Sequence, residues 1–170
     1  NKINEFLKDI KSKKVLVLGE TIIDEYITTE AIGKSGKEPM MVVQQKKKIK
    51  FLGGVGYIAN LCSSFVKEVK VISFLGEKNS EKKYVFNKLN KSIKHHFLIK
   101  KNSPTITKTR YLDDYRKTKM LGVYELNDDL ITRQEETKLY KLLKSNLNKY
   151  DIIIVADYGH GIITEKIRNL

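Results

Sequence analysis

Cysteine is nearly absent. Cys62 is the one thiol in 170 residues, so the chain can build neither a disulfide framework nor a cysteine-based metal site. It lies in an apolar stretch, where a thiol packs as core. Histidine is scarce too: His95 and His96 adjoin each other and, on a strand, point to opposite faces, while His160 stands alone. No zinc-ligand spacing results. No apolar run is long enough to span a membrane and no signal peptide precedes Val15, which points to a reducing cytoplasm and no membrane partner. Arginine is confined to Arg110, Arg116, Arg133 and Arg168; the rest of the 33 basic residues are lysines spread along the chain. The net charge of +13 suggests phosphate binding. Base readers and stacking platforms, however, use Arg forks and clustered aromatics, and scattered lysine reads as solvated surface. Nucleic acid is therefore not an expected partner. The chain also lacks a Gly-x-Ser-x-Gly nucleophile elbow, an internal repeat and a low-complexity linker.

What is present suffices for one α/β domain, with 41% hydrophobic residues. The start at Asn1 rather than Met, and the stop at Leu170 soon after a helix start, read as a cut chain. Its centre is a glycine-rich corner, Phe51-Leu52-Gly53-Gly54-Val55-Gly56-Tyr57-Ile58-Ala59-Asn60, where a lysine-laced extended segment turns into an apolar helix ending near Val66. Glycines there either pack the helix tightly on a sheet or open its first N–H groups to an oxygen-rich ligand.

Taken in order, Lys2–Ile10 has helical spacing and predicts a short amphipathic helix laid on the body. Val15–Leu18 and Asp151–Ala156 read as strands buried on both faces of a parallel sheet. The first should end in Gly19-Glu20-Thr21-Ile22-Ile23-Asp24, setting two carboxylates beyond its C-terminal end, where open α/β sheets bind ligands. Ile27–Thr29 and Met40–Lys48 suggest a separate exposed ribbon, a candidate lid, joined by a loop at Gly33–Pro39. Val69–Gly76 and His96–Ile99 follow as strands, Ser80–Leu89 as a helix, and Thr105–Leu112 with Met120–Glu125 as a hairpin. Thr132–Leu147 is the longest predicted helix, and Thr164 caps another.

Gly54-Val55-Gly56-Tyr57-Ile58-Ala59 satisfies the dinucleotide pattern Gly-x-Gly-x-x-Gly/Ala, but that pattern must follow the first buried strand of a βαβ unit. Here the first buried strand ends in Gly-Glu instead. The remaining oxygen-binding groups are Glu20, Asp24, the Gly53–Gly56 amides, Asn60, Asp157 and His160, a set suited to a polyhydroxylated ligand. Asp24 and Asp157 could equally form turns and cap helices.

Gly19-Glu20-x3-Asp24, the glycine corner, and Ile152-Ile153-Ile154-Val155-Ala156-Asp157-Tyr158-Gly159-His160-Gly161, in this order, resemble the PfkB/ribokinase carbohydrate kinases. The nearest branch is the heptose-7-phosphate kinase domain of bifunctional ADP-heptose synthesis proteins. The resemblance implies a ribokinase-like, doubly wound, mostly parallel sheet with a small β lid around residues 21–50. Residues 1–170 would be the N-terminal part of one kinase domain, its C-terminal part missing. It further implies ATP and Mg2+ as cofactors, a sugar or sugar-phosphate substrate, and a homodimer through the lid.

By the same resemblance Glu20, Asp24, Gly53, Gly54, Tyr57 and Asn60 hold the sugar, and Lys108 and Arg110 meet a phosphate already on it. Asp157 and His160 lie near the transferred phosphoryl group. The catalytic base, the Asp of a Gly-Ala-Gly-Asp motif, is expected beyond Leu170. Glu20 for Asp, Tyr57 for Asn and His160 for Lys differ from the usual family pattern, and the stretch around Leu121-Gly122-Val123-Tyr124-Glu125 lacks the Arg and Asp expected there. Clustered on the sugar side, they read first as altered substrate choice. The alternative is a non-catalytic sugar- or nucleotide-sugar-binding module on the same fold.

Overall fold

The computed structural model describes residues 2–170. Two sheets hang on one strand, β1 (Lys14–Lys34), which runs 21 residues without a break. Its first part pairs in parallel with β3 (Glu68–Lys78) on one side and β7 (Ile152–Ala156) on the other, and β4 (Lys94–Pro104) extends the sheet beyond β3. Its second part pairs antiparallel with β2 (Met41–Gly53) and parallel with β5 (Ile106–Asp113), to which β6 (Lys119–Glu125) adds antiparallel. The result is a parallel main sheet, β4-β3-β1-β7, and a lid sheet, β2-β1-β5-β6.

Val15–Leu18 and Ile27–Thr29, expected as separate strands, are thus parts of one, and Asp24 lies inside a strand rather than beyond its end. The cause is backbone pairing. Around Thr21–Ile22 the hydrogen-bond partners of β1 change from β3 and β7 to β2 and β5, so its main-chain groups stay satisfied without a turn.

Alternation along β1 then feeds two cores. Val15 and Val17 join Val69, Val71, Val55 and Ala59 of α2 (Gly54–Cys62) and Val85 of α3 (Lys82–Lys88). Leu16 and Leu18 join Ile72, Phe74, Leu139 and Leu143 of α4 (Arg133–Lys144) and Ile167 of α5 (Glu165–Arg168). Helices therefore cover both faces of the main sheet, the doubly wound arrangement expected. Thr132 and Glu135 form a reciprocal capping box that starts α4, and Thr164 caps α5. The helix from the glycine corner stops at Cys62, short of Val66, and α4 stops at Lys144, short of Leu147.

Two expectations of burial fail. Composition predicts a β7 covered on both faces, yet Ile152, Ile153 and Val155 are 39%, 38% and 52% exposed. Among the described residues it pairs only with β1, and α4 packs towards β4 at the opposite edge. The N-terminal helix α1 (Lys2–Ser12) is amphipathic but buries no residue, leaving Phe6 62% and Leu7 47% exposed. Only Lys13 separates it from β1.

The two lid faces are set by register. Phe51, Asp24, Lys108 and Tyr124 form one rung across the four strands, on one face. Lys50, Glu25 and Thr109 form the next rung, on the other. Glu25 is buried, yet it accepts hydrogen bonds from Thr109 at 3.0 Å, Lys48 at 3.0 Å and Lys50 at 2.9 Å, and Lys50 reaches on to Glu81 at 2.8 Å. Burial alone would raise the Glu25 pKa. The bonds from Lys50, Lys48 and Thr109 outweigh it and hold the carboxyl below its usual range. Lys50 is likewise lowered by burial, but its bonds to Glu81 and Glu25 leave it raised. This network ties the lid to the start of α3.

Two tests follow from this geometry. A Cβ on Gly19, whose φ is +144°, would lie against the Ala156 carbonyl of the neighbouring strand. Gly19→Ala should therefore lose at least about 2 kcal/mol in chemical denaturation, whereas Gly36→Ala, with open space around it, should stay within about 0.5 kcal/mol. The second concerns pH. A carboxyl whose folded pKa is lowered stabilises the fold above its ordinary value, and that contribution disappears as pH falls through the folded value. Glu25→Gln should cost about 2 kcal/mol at neutral pH, and the gap in melting temperature to the parent should close below the ordinary carboxyl value of 4.5. An unchanging gap down to about pH 3 would remove Glu25 as the titrating group.

Candidate functional site

Where the lid meets the main sheet, a cleft of about 600 Å³ opens, lined by Ile22, Asp24 and Tyr26 of β1, Phe51, Leu52 and Gly53 of β2, Gly54 and Tyr57 of α2, Lys108 and Arg110 of β5, and Tyr158. The period of two along β1 puts Ile22, Asp24 and Tyr26 on one face, and register brings Phe51 and Lys108 beside Asp24 and Arg110 beside Tyr26. Glycine is required at the corner. Gly54 has φ +53°, and a Cβ there would strike the Glu20 carbonyl. A Cβ on Gly53 would meet the Asp24 carboxylate at 2.5 Å, and one on Gly56 would press into Leu52. The corner thus lets α2 start against β1 with its first turn at the cleft. Its feeding strand is antiparallel to β1, so the dinucleotide pattern has no βαβ context here.

Charge in the cleft is fixed. Arg110 donates through Nη1 to Asp24 Oδ1 at 2.5 Å, and this hydrogen bond raises the guanidinium pKa. The same guanidinium lies 5.5 Å from the Tyr26 ring centre and 5.7 Å from that of Tyr124. Planar, weakly hydrated guanidinium suits such stacking. The Lys108 ammonium stands 6.0 Å from the Tyr124 ring centre and makes no salt bridge among the described residues. With one carboxylate against two cations, the cleft favours an anion. Tyr26, Phe51, Tyr57 and Tyr158 give it flat apolar walls.

Of the residues expected from sequence, Asp24, Gly53, Gly54, Tyr57, Lys108 and Arg110 come together here. Glu20, Asn60, Asp157 and His160 do not line the cleft. Asn60 donates to the Lys88 carbonyl and accepts from the Asn90 amide, both at 2.8 Å, joining α2 to the end of α3. Glu20 is fully buried, accepting from the amides of Tyr158 and His160 at 2.9 and 3.3 Å. Asp157 accepts from the Gly159 amide at 3.0 Å. The His160 ring is buried behind the cleft, with Nδ1 2.6 Å from Asp128 Oδ1. Glu20 and Asn60, expected at the sugar, and His160, expected at the phosphoryl group, thus each engage backbone or a neighbouring element here.

Sequence reasoning missed Ile22, Tyr26, Phe51, Leu52 and Tyr158. The signal for two of them was available: read as one strand, Ile22–Tyr26 alternates, and Tyr26 falls on the face of Asp24.

Behind the cleft, Lys100 is buried and donates to the carbonyls of Asn127 at 2.7 Å and His160 at 3.0 Å. Burial lowers its pKa against the opposing pull of Asp129, Asp128, Glu135 and Glu20. For the cofactors implied by resemblance, the donor set decides. Mg2+ needs oxygen ligands, chiefly carboxylates. The one carboxylate of the cleft is bonded to Arg110, and no group of three His, Cys, Asp or Glu among the described residues could hold a metal. The cleft lining, with its one carboxylate paired to Arg110, is not by itself a Mg2+–ATP site. No helix among the described residues is long and apolar enough to cross a membrane.

No family model matches the chain. Curated relatives do. The bifunctional protein HldE of Aliarcobacter butzleri is 30% identical over 159 residues, which is 92% of this chain and 33% of that protein. HldE of Nitratiruptor sp. is 26% identical over 155 residues, 91% of this chain and 33% of that protein. The chain thus spans about one third of the length of the curated relatives it matches. Among solved structures, a carbohydrate kinase from Agrobacterium tumefaciens superposes with TM-score 0.60 at 17% identity, over 84% of this chain and 45% of that one. A possible 1-phosphofructokinase from Thermotoga maritima gives 0.59 at 18% identity, over 84% and 44%. At such identities the structures speak for the fold alone. Sequence and fold agree that the chain is a relative of the bifunctional HldE proteins, about one third of their length, built on the ribokinase-like fold of the PfkB carbohydrate kinases.

Proposed function

We propose that this chain is the sugar-holding, N-terminal part of a PfkB-type kinase domain. That domain moves the γ-phosphate of ATP to a hydroxyl of a phosphorylated sugar of the heptose-7-phosphate type, for lipopolysaccharide precursor synthesis in the cytoplasm. The observation that carries the reading is the cleft between lid and sheet, with Asp24 and the Gly53–Gly54 backbone beside two cations and four aromatic walls. Its dimensions and chemistry suit a sugar phosphate.

Asp24 accepts hydrogen bonds from sugar hydroxyls with the carboxylate oxygen that Arg110 leaves open. Gly53 and Gly54 let the sugar approach the main chain. Tyr26, Phe51, Tyr57 and Tyr158 cover its C–H faces, and Lys108 with Arg110 holds the phosphate already present. ATP with Mg2+ supplies the transferred group and is held by residues outside this chain. Phosphoryl transfer rests on positioning and charge stabilisation, and this chain's share is to hold the acceptor. A homodimer through the lid belongs to the same reading: every residue of β6 is exposed, including Met120 (41%), Leu121 (58%) and Val123 (49%). Sedimentation should accordingly give twice the 19.7 kDa chain mass, and Leu121→Lys should return it to the monomer value.

The deciding measurement is ADP release by the full-length gene product with ATP and Mg2+, across hexoses, heptoses and their phosphates. Turnover is expected with a phosphorylated acceptor, and none from the 170-residue chain alone. Lys108→Ala should raise KM for that acceptor by roughly tenfold or more and leave kcat nearly unchanged, as for binding energy shared by ground and transition states. Tight sugar binding without turnover would instead favour the non-catalytic module, and ADP release by the chain alone would sink the division of labour proposed here.

A further inference from the structure

Glu20 sits on β1 with no solvent exposure, one residue after the close approach of Gly19 to Ala156. From there its carboxylate reaches the turn that follows β7. Oε2 accepts the Tyr158 amide at 2.9 Å and Oε1 the His160 amide at 3.3 Å. Gly159 and Gly161, with φ of +78° and +84°, give the turn its alternation of backbone hands. Such alternation points successive N–H groups inward as a nest for an anion. Here the anion is internal. The carbonyl side of the turn is held as well, since Lys100 donates to the His160 carbonyl at 3.0 Å and the Gly161 carbonyl accepts the Ile131 amide at 3.0 Å. Of the turn's side chains, only that of Tyr158 lines the cleft.

We infer that Glu20 is a positioning residue: its buried carboxylate fills the backbone nest of residues 157–161 and thereby fixes Tyr158 as a wall of the cleft. Two features of the pocket chemistry support this over a direct ligand role. Both carboxylate oxygens are engaged by amides, and the side chain is sealed from the cleft. A carboxylate, which only accepts, matches two inward N–H groups, whereas a carboxamide would turn an NH2 donor against one of them. Shortening by one methylene, as in Glu20→Asp, withdraws the carboxylate from at least one amide.

Hydrogen exchange tests the latch without reference to any substrate. In Glu20→Gln the amides of Tyr158 and His160 should exchange at least about tenfold faster than in the parent, while those of Val71 and Ile72 in the central strand keep their rates. The chain contains no tryptophan, so Tyr158→Trp adds a single fluorescent reporter. Its emission should shift to the red and its anisotropy should fall when Glu20→Gln is added. If Glu20→Gln does not fold, Glu20→Asp reads the same two amides and the same reporter. Unchanged exchange at Tyr158 and His160, or equal acceleration throughout the sheet, would overturn the proposal, the latter because Glu20 would then only stabilise the fold. The link from Tyr158 to substrate rests on the sugar-kinase reading. Quenching of the tryptophan in the Tyr158→Trp variant by glucose 6-phosphate or sedoheptulose 7-phosphate, with Glu20 intact, tests that link separately. If neither sugar phosphate quenches it, the link to substrate is lost, and the exchange result still decides the latch.

Discussion

One unbroken strand governs this structure. Because β1 passes through both sheets, its 21 residues must satisfy four environments in turn, and each alternate side chain is committed by the pleat. Near the start, Val15 and Val17 face one helical layer and Leu16 and Leu18 the other. Further on, the same alternation divides Asp24 and Tyr26, which face the cleft, from Glu25, which faces the ion network behind the lid. A one-residue slip between the parts would turn Asp24 to the ion-network face and Glu25 to the cleft. The handover near Thr21 is pinned by side-chain bonds, Thr21 to Ser73 at 2.8 Å and Ser73 to the Gly19 carbonyl at 2.6 Å, both buried. Cleft geometry is therefore a consequence of strand continuity.

Much of this was legible in the residues. Apolar runs at Val15–Leu18 and Val69–Gly76, the helix from Thr132 and the hairpin of β5 and β6 all form as periodicity and capping require. The glycine corner also had a readable purpose, since Gly53, Gly54 and Gly56 each face an atom that a Cβ would strike. Illegible were the facts that depend on who lies next to whom. Nothing in Thr21–Asp24 says that a strand changes partners there instead of ending, so the residues alone suggest a detached ribbon for the lid. Ile152–Val155 has the composition of a central strand, yet the structure leaves it at an edge. Composition reports the hydrophobicity of a strand but not the number of its neighbours. Glu20 and Asn60 belong with these: both are polar residues near a ligand-shaped corner, and only geometry shows each holding backbone.

The same geometry explains how a chain with 33 basic and 20 acidic residues uses its scarcer charge. Several carboxylates hold main-chain N–H groups, Glu20, Asp151 and Glu135 among them. Glu20 holds the turn after β7, Asp151 accepts the Lys14 amide at 2.7 Å at the start of β1, and Glu135 accepts the amides of Lys101 and Thr132, both at 2.7 Å. Burial works against the charge of Glu135, but its bonds from Lys101 and Thr132 outweigh that and hold its pKa low. An acceptor-only group with two oxygens can satisfy two amides that no strand or helix reaches. Lysine cannot do this. Where a lysine is buried, as Lys100 is, it satisfies carbonyls instead, and here it does so on the turn whose amides Glu20 holds.

That pairing separates the two kinds of charge in the molecule by role. Glu20, Lys100 and Glu135 lie in the interior and bond to backbone. Asp24, Arg110 and Lys108 stand at the cleft, and of these only Asp24 and Arg110 are bonded to each other. Arg110 is held by that bond and by two tyrosine rings, so little of its freedom remains to be lost when an anion binds. Lys108 is half-buried with its ammonium 6.0 Å from the Tyr124 ring centre and has no carboxylate partner among the described residues. Under the proposed reading, an anion in this cleft would meet one cation already held in place by Asp24 and one that makes no salt bridge among the described residues.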